Sequence, residues 1–176
     1  MRIKKEQCAA VVVDYQERLM PVMRNADELV RRSTILLKGL KILDVPISMT
    51  QQYTKGLGGT ISAITEAIET QDFIEKIEFS ACSSVFEQIR EKQYIIVCGV
   101  ETHICVLQTV IELKENGFVP VVVADCLSSR NELDHDIAIE RMKAIGAIIT
   151  TSESIIFELL EKAGTKTSKK IQKLVK

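Results

Sequence analysis

The segment Tyr94-Ile-Ile-Val-Cys-Gly-Val-Glu-Thr-His-Ile-Cys105 decides the fold of this chain. Its apolar run at residues 95–98 is typical of a fully buried strand, which Gly99 ends. An apolar-rich stretch with helical spacing follows from Thr102 to residue 116. Cys105 is therefore predicted in or near the first helical turn, at the carboxyl end of a core strand, where a helix N-terminus favours the thiolate over the thiol.

Strands and helices alternate along the whole chain, and the strands are short and apolar. Six strands are predicted, at Cys8–Val13, Val45–Thr50, Asp72–Lys76, Tyr94–Cys98, Phe118–Ala124 and Ala147–Thr150. This pattern predicts an α/β fold with three layers, in which helices cover both faces of a six-stranded parallel sheet. With right-handed crossovers, the preferred strand order is 3-2-1-4-5-6. Ligands then bind at the carboxyl ends of the strands, near the switch point between strands 1 and 4.

Serine residues mark two of the predicted helix starts. Ser84 with Glu87, and Ser129 with Glu132, each fit a capping box, in which the serine side chain bonds the helix N-terminus and the glutamate bonds back.

The chain is predicted to form one domain over residues 1–164, followed by a basic C-terminal tail, 165–176, that extends as a helix. A solvated helical tail is the favoured interpretation of those lysines, and a phosphate- or membrane-binding patch is the alternative.

Composition excludes several classes of function. The net charge is −1 with 27% charged residues, so no basic field favours nucleic acid. No apolar stretch reaches the roughly 20 residues needed to span a bilayer. The five cysteines are odd in number and show neither a disulfide framework nor paired Cys/His spacing for zinc. We therefore expect a cytoplasmic protein without a membrane partner.

Three chemically complementary residues follow strands that end at the same edge of the predicted sheet. Asp14 follows strand 1, Lys76 follows strand 3 and Cys105 follows strand 4. Together they suggest nucleophilic catalysis, in which Cys105 attacks an electrophilic carbon and Asp14 takes and returns the proton. Lys76 would keep Asp14 ionised and stabilise the thiolate, and backbone N–H groups at the helix start would receive the oxyanion.

Each of these residues also has a structural interpretation. An aspartate that ends a strand is often a turn residue, a lysine on a weak strand is usually solvated, and a cysteine on an apolar helix is usually a small core residue. The functional interpretation rests on their occurring together.

Three blocks of sequence carry a resemblance to a known family. Val-Val-Asp14-Tyr-Gln16, Lys76-Ile-Glu-Phe-Ser-Ala81 and Gly99-Val-Glu-Thr-His-Ile-Cys105-Val resemble the signature blocks of the isochorismatase-like cysteine hydrolases. Further segments are similar to the subgroup called isochorismatase domain-containing proteins: Thr50–Gly58, Cys126–Asn131, 151–154 and 171–175. The resemblance covers nearly the whole chain.

The resemblance implies a catalytic triad of Asp14, Lys76 and Cys105. It also implies a cis peptide between Val100 and Glu101, with the N–H groups of Glu101 and Cys105 aimed at the oxyanion. Nicotinamidases of this superfamily bind a metal through an Asp-x-His pair and a further His after strand 2. Residues 51–59 contain no histidine and no acidic residue, so no metal and no cofactor are expected.

Four further residues are candidates for the substrate pocket. Tyr53, Leu57 and Phe79 could line an apolar wall, and Gln16 lies two residues beyond Asp14. Core packing is an equally good interpretation of Tyr53, Leu57 and Phe79, and a hydrogen bond to a loop is an equally good interpretation of Gln16.

The first functional hypothesis is a metal-independent cysteine hydrolase of a small amide, imide or carbamoyl compound, acting through a covalent Cys105 intermediate. A binding or scaffold protein without turnover and a thiol redox sensor are the rivals. The expected partners are a small-molecule substrate and further copies of the chain as a homo-oligomer, a dimer or larger, with no nucleic acid.

Overall fold

The computed structural model describes residues 2–176. Six parallel strands form one sheet in the order 3-2-1-4-5-6, which confirms the predicted fold class. The strands are β1 Cys8–Val13, β2 Ile47–Gln52, β3 Ile74–Lys76, β4 Tyr94–Val100, β5 Val119–Ser128 and β6 Ile148–Thr150. The two central strands, β1 and β4, are buried along their whole length because helices cover both faces of the sheet.

Eight α-helices connect and flank these strands. They are α1 Ala26–Ile42, α2 Thr54–Leu57, α3 Ser62–Ile68, α4 Cys82–Ile89, α5 Leu107–Glu115, α6 Glu132–Ala144, α7 Ser152–Leu160 and α8 Lys166–Leu174. Short 3₁₀ turns occupy Lys5–Gln7 and Met20–Val22. Two apolar clusters fill the space between helices and sheet, one on each face. None of the helices in the described residues is long and apolar enough to cross a bilayer.

The C-terminal segment forms the helix α8. Its Ile171 is fully buried, and the Thr165 side chain caps its start by accepting a hydrogen bond from the N–H of Ser168. The helix packs against α1 and α7, so its apolar side is anchored to the rest of the fold.

Both predicted capping boxes are wrong. Helix α4 begins at Cys82, two residues before Ser84, and its first N–H donates to the Ser80 hydroxyl at 3.1 Å. Helix α6 is capped by Asn131, whose side chain accepts a hydrogen bond from the Leu133 N–H. The predictions failed because the chain reaches each helix from a tightly bonded loop, which fixes the start independently of the local serine.

The start of the helix after β4 also differs from the prediction. Residues Thr102–Val106 form a π-helical turn, and the regular helix α5 begins only at Leu107. π-turns are rare and occur frequently at functional sites. Cys105 lies in this turn.

Strand β5 ends at Ser128, four residues beyond its predicted end, and its pairing with β4 shifts register between Val97 and Gly99. Such an irregularity bends the strand and redirects the residues that follow. It brings the segment 128–131 towards the turn that contains Cys105, and that segment supplies several contacts described below.

Candidate active site

Asp14 stands immediately after β1, at the switch point between β1 and β4. Its backbone has a φ of 55°, in the left-handed region that aspartate tolerates better than most residues. The side chain is fully buried, and its Oδ1 accepts a hydrogen bond of 2.8 Å from the hydroxyl of Thr50. The parallel register places Thr50 beside Val13 at the end of β1, so the sheet itself brings these two groups together.

Lys76 is the last residue of β3, and its ammonium group is surrounded by oxygen atoms. Its Nζ lies 2.6 Å from Asp14 Oδ2, and neither side chain is exposed to solvent. The same Nζ donates hydrogen bonds to Gln52 Oε1 at 2.7 Å, to the Phe79 carbonyl at 2.9 Å and to the Glu78 carbonyl at 3.3 Å. A buried charge with this many partners is compensated, because removal from water is offset by an opposite charge and by several hydrogen bonds.

The second oxygen of Asp14 is held differently from the first. Oδ2 contacts Lys76 as an ion pair, but it has no hydrogen-bond partner of acceptable geometry among the described residues. A carboxylate oxygen has two lone pairs, so this atom retains capacity to accept a proton.

Cys105 is the third member of the group, and it is a protonated thiol in this environment. Its pKa is raised to about 12, chiefly by burial and then by the negative charge of Asp14. Lys76 and a hydrogen bond from the Glu101 backbone lower the pKa but do not outweigh burial. The expected stabilisation of the thiolate by the helix start is therefore wrong, since desolvation disfavours the charged form more strongly.

The backbone around the π-turn has one of the features that the resemblance implied. The peptide bond between Val100 and Glu101 is cis. The Glu101 carbonyl accepts hydrogen bonds from the N–H groups of Ile104 and Val106, at 3.1 and 3.2 Å, and neither bond uses the N–H of Cys105. Backbone N–H groups that remain available beside a nucleophile can stabilise an oxyanion.

Gly99 allows β1 and β4 to approach each other closely at this point. Its φ is 139°, and a Cβ on this residue would lie 2.1 Å from the Val13 carbonyl oxygen. Only glycine fits there, so this residue brings the turn with Cys105 near the end of β1.

The Glu101 side chain fixes the turn to the end of β5. Its carboxylate is buried and accepts hydrogen bonds from the backbone N–H of Arg130 at 3.0 Å and from Arg130 Nε at 3.1 Å. Two histidine contacts reinforce the attachment: His103 bonds Ser129 and His135 bonds Thr102, each at 2.9 Å.

Thr109 is a supporting residue that the sequence did not single out. Its hydroxyl donates to the Cys105 carbonyl at 2.7 Å and accepts from the Ala81 N–H at 2.9 Å. It therefore joins the cysteine turn to the segment that follows Lys76. Thr50 and Gln52 were missed in the same way, although polar residues at the end of a buried strand are a signal that could have identified them.

The four predicted pocket residues fall into two groups. Gln16 is buried, and its amide is occupied by backbone partners: Nε2 donates to the Gln52 and Gly58 carbonyls, and Oε1 accepts from the Gln52 N–H. It holds the segment 52–58 in place. Tyr53 and Phe79 are about half exposed, at 50% and 52%, and Leu57 is partly buried.

The described residues contain no evident metal-binding cluster, and a sizeable cavity lies away from Asp14, Lys76 and Cys105. Within residues 2–176, no cluster of three or more His, Cys, Asp or Glu side chains is arranged to hold a metal ion. A cavity of about 590 Å³ lies between the start of α1 and the end of β5, lined by residues such as Arg24, Asp125 and His135. Asp14, Lys76 and Cys105 do not line it.

The fold and this arrangement of residues define the class of protein. The model of the isochorismatase domain matches residues 8–154, so the chain belongs to the isochorismatase family and has its hydrolase fold.

Several known proteins are similar over nearly the whole chain. Isochorismatase domain-containing protein 2A of Mus musculus is 34% identical over 99% of this chain and 85% of its own length. A Caenorhabditis elegans structure described as MAR1 ribonuclease is 35% identical, with a TM-score of 0.95 and coverage of 99% and 92% of the two chains. The YcaC gene product of Escherichia coli, described as an octameric hydrolase of unknown specificity, shares the fold at 24% identity, with a TM-score of 0.84 and coverage of 92% and 83%.

Proposed function

We propose that this protein is a metal-independent cysteine hydrolase that cleaves a small amide, imide or carbamoyl compound through a covalent intermediate on Cys105. The observation that carries the proposal is the buried ion pair of Asp14 and Lys76, 2.6 Å apart, whose two charges both act on the Cys105 thiol in the turn after β4. A nucleophile, a proton acceptor within hydrogen-bond reach and a group that orients the acceptor are the elements of covalent catalysis.

The first half-reaction transfers the acyl group to sulfur. The Cys105 proton moves to Asp14 as the sulfur attacks the carbonyl carbon, and the backbone N–H groups of Glu101 and Cys105 stabilise the resulting oxyanion. The C–N bond then breaks, Asp14 returns its proton to the leaving nitrogen, and a thioester remains on Cys105.

The second half-reaction restores the enzyme. Asp14 accepts a proton from a water molecule while the water oxygen attacks the thioester carbon. The C–S bond breaks, the acid product leaves, and the proton on Asp14 returns to the Cys105 sulfur. The high pKa of Cys105 fits this cycle, since the resting thiol carries the proton that Asp14 must receive.

The test is incubation with a panel of amides, imides and carbamates, followed by intact-mass detection of a Cys105 adduct and product analysis. We expect Cys105→Ala to abolish turnover and adduct, and Asp14→Asn to slow formation or breakdown of the adduct. Cys8→Ala is the matched control, because Cys8 begins β1 at the opposite edge of the sheet. Full turnover by Cys105→Ala would exclude the proposal.

The same experiment separates the rival functions. A binding or scaffold protein would bind panel compounds without forming an adduct. A redox sensor would instead form a sulfenic acid on Cys105 with peroxide and show no hydrolysis. RNA belongs in the panel because one similar protein is described as a ribonuclease. Cleavage of RNA that Cys105→Ala abolishes would replace the amide proposal.

We also propose that the chain forms a homo-oligomer. Several large apolar side chains on its surface are more than half exposed, including Ile77, Leu133 and Ile137. Self-association would remove such surface from water. Sedimentation analysis tests this, and a monomer at micromolar concentration would contradict it.

A further inference from the structure

We propose that the active site selects substrates whose acyl part is uncharged. This inference rests on the proposed function, and it specifies the substrate class that Cys105 attacks. It follows from an inventory of the polar groups around Asp14, Lys76 and Cys105, in which every buried charge and every buried amide already has a partner in the protein.

The buried charges beside the nucleophile are compensated. The Lys76 ammonium contacts the Asp14 carboxylate at 2.6 Å and donates to three further oxygens, those of Gln52, Glu78 and Phe79. An ammonium group has three protons to donate, so Lys76 has none left for a ligand.

The next charge along the site is also compensated. The Glu101 carboxylate is bound by the backbone N–H and the Nε of Arg130, so the charge of this guanidinium is balanced where it meets the turn. A substrate carboxylate or phosphate would therefore find no unbalanced positive charge at Lys76 or at Arg130. It would also lie beside the negative charge of Asp14.

The buried amides and the hydroxyl are occupied as well. Gln16 uses its Nε2 and Oε1 on the segment 52–58. Gln52 accepts from Lys76 and donates from Nε2 to the Ile77 carbonyl, and the Thr50 hydroxyl donates to Asp14. Gln16 and Thr50 cannot bind an anion without breaking a bond that holds the site together, and Gln52 keeps at most one uncharged N–H for a ligand.

The exposed side chains next to Lys76 carry no positive charge, because Ile77 and Phe79 are apolar and Glu78 between them is acidic. Tyr53 and Phe79 are tied to Lys76 through the backbone, because the Tyr53 N–H donates to the Lys76 carbonyl and the Phe79 carbonyl accepts from Nζ. Ile77 is 66% exposed directly after Lys76. Such a surface favours an uncharged, partly apolar acyl group.

Two cationic side chains, Arg18 and Lys55, lie on or beside the loop that follows β2, and neither alters the preference for an uncharged acyl group. Arg18 donates from Nη1 to the Gly56 carbonyl at 2.6 Å, and Lys55 is exposed on α2. Charges in this solvated position interact weakly with a ligand because water and salt screen them.

The test compares two alkylating probes of nearly equal size, iodoacetamide, which is neutral, and iodoacetate, which is anionic. Second-order rates at Cys105 are measured by peptide mass spectrometry at pH 9, and the ratio of the two rates is divided by the same ratio for N-acetylcysteine. We expect the normalised ratio to favour iodoacetamide by at least about tenfold, because an anion buried without a partner is strongly disfavoured.

A pair of variants at one position tests the cause. Phe79→Lys adds a cation beside the site while keeping the backbone carbonyl that Lys76 uses, and it should raise the iodoacetate rate and reduce the normalised ratio. Phe79→Leu should leave the ratio unchanged. A parallel comparison of hydrolysis, with hexanamide and succinamate, should show the same preference for the neutral compound.

The outcomes distinguish this inference from the proposed function. A normalised ratio near one, with labelling confined to Cys105 and turnover that Cys105→Ala abolishes, overturns the selectivity and leaves the hydrolase intact. Failure of both probes to label Cys105 in the folded protein overturns the proposed function and this inference with it.

Discussion

Asp14 Oδ2 and Lys76 Nζ lie 2.6 Å apart, and both side chains are completely removed from solvent. The two residues are 62 positions apart in sequence and are brought together because β3 and β1 both pair with β2. The pair is the electrostatic centre of the site, since Thr50 and Gln52 each bond one of its members and both charges shift the pKa of Cys105.

Neutralising one member of this pair should destabilise the fold more than neutralising both. Asp14→Asn leaves the Lys76 charge buried without its counter-ion, which costs about 3–5 kcal/mol, and the double variant Asp14→Asn/Lys76→Met should recover part of that loss. Urea denaturation measures both. The double variant should still lack activity, so recovered stability with restored turnover would contradict the assignment of these residues.

The pH dependence of Cys105 alkylation should report the raised thiol pKa. A free thiol reaches its full rate above about pH 9, whereas the rate at Cys105 should keep rising towards pH 12. Asp14→Asn removes a negative charge that raises this pKa, so it should move the iodoacetamide profile to lower pH while slowing hydrolysis. If the alkylation rate of the wild-type protein levelled off near pH 8, the pKa of the Cys105 thiol would not be raised.

The buried thiols should also make the folded state less stable at high pH. Cys8, Cys82, Cys98 and Cys105 each have a pKa raised to about 12 by burial. Between the unfolded pKa near 9 and the folded value, the unfolded chain binds fewer protons, so the free energy of unfolding falls as pH rises. Denaturation from pH 7 to 10 measures the slope. Cys98→Ala should make the free energy of unfolding depend less steeply on pH. An unchanged pH dependence in this variant would argue against a raised pKa for Cys98.

Removing the Thr50 hydroxyl should impair catalysis more than its small size suggests. Thr50→Val keeps the shape but removes the donor to Asp14 Oδ1, which should cost about 1–3 kcal/mol of stability and lower kcat at least about tenfold. Thr50→Ser keeps the hydroxyl and serves as the control. If Thr50→Val and Thr50→Ser had equal kcat values, Thr50 would not position Asp14.

Gln16 should act on the loop and not on the chemical step. Gln16→Leu removes three hydrogen bonds to the segment 52–58, so amide exchange at Gln52 should become faster and KM should rise more than kcat falls. Glu17→Gln at the next position is the control for a local charge effect. If Gln16→Leu lost much of its kcat while the amide exchange rate at Gln52 stayed the same, Gln16 would instead take part directly in catalysis.

Much of the architecture was predictable because it depends on local patterns. The apolar runs at Cys8–Val13 and Tyr94–Cys98 predicted the two buried central strands, and the alternation of elements predicted the strand order. Helix starts were less predictable. Asn131 and not Ser129 caps α6, because tertiary contacts of the 128–131 segment determine where the helix can begin.

The sequence by itself determined the parallel sheet, the edge at which Asp14, Lys76 and Cys105 gather, and the family resemblance, since each follows from residue type and spacing along the chain. Only the tertiary structure decided the chemistry of those residues. Burial, and not the helix start, governs the Cys105 thiol, and the pairing of β2 with β1 and β3 brings Thr50 and Gln52 to the ion pair. Desolvation and hydrogen bonding depend on groups distant in sequence, so no local pattern could reveal them.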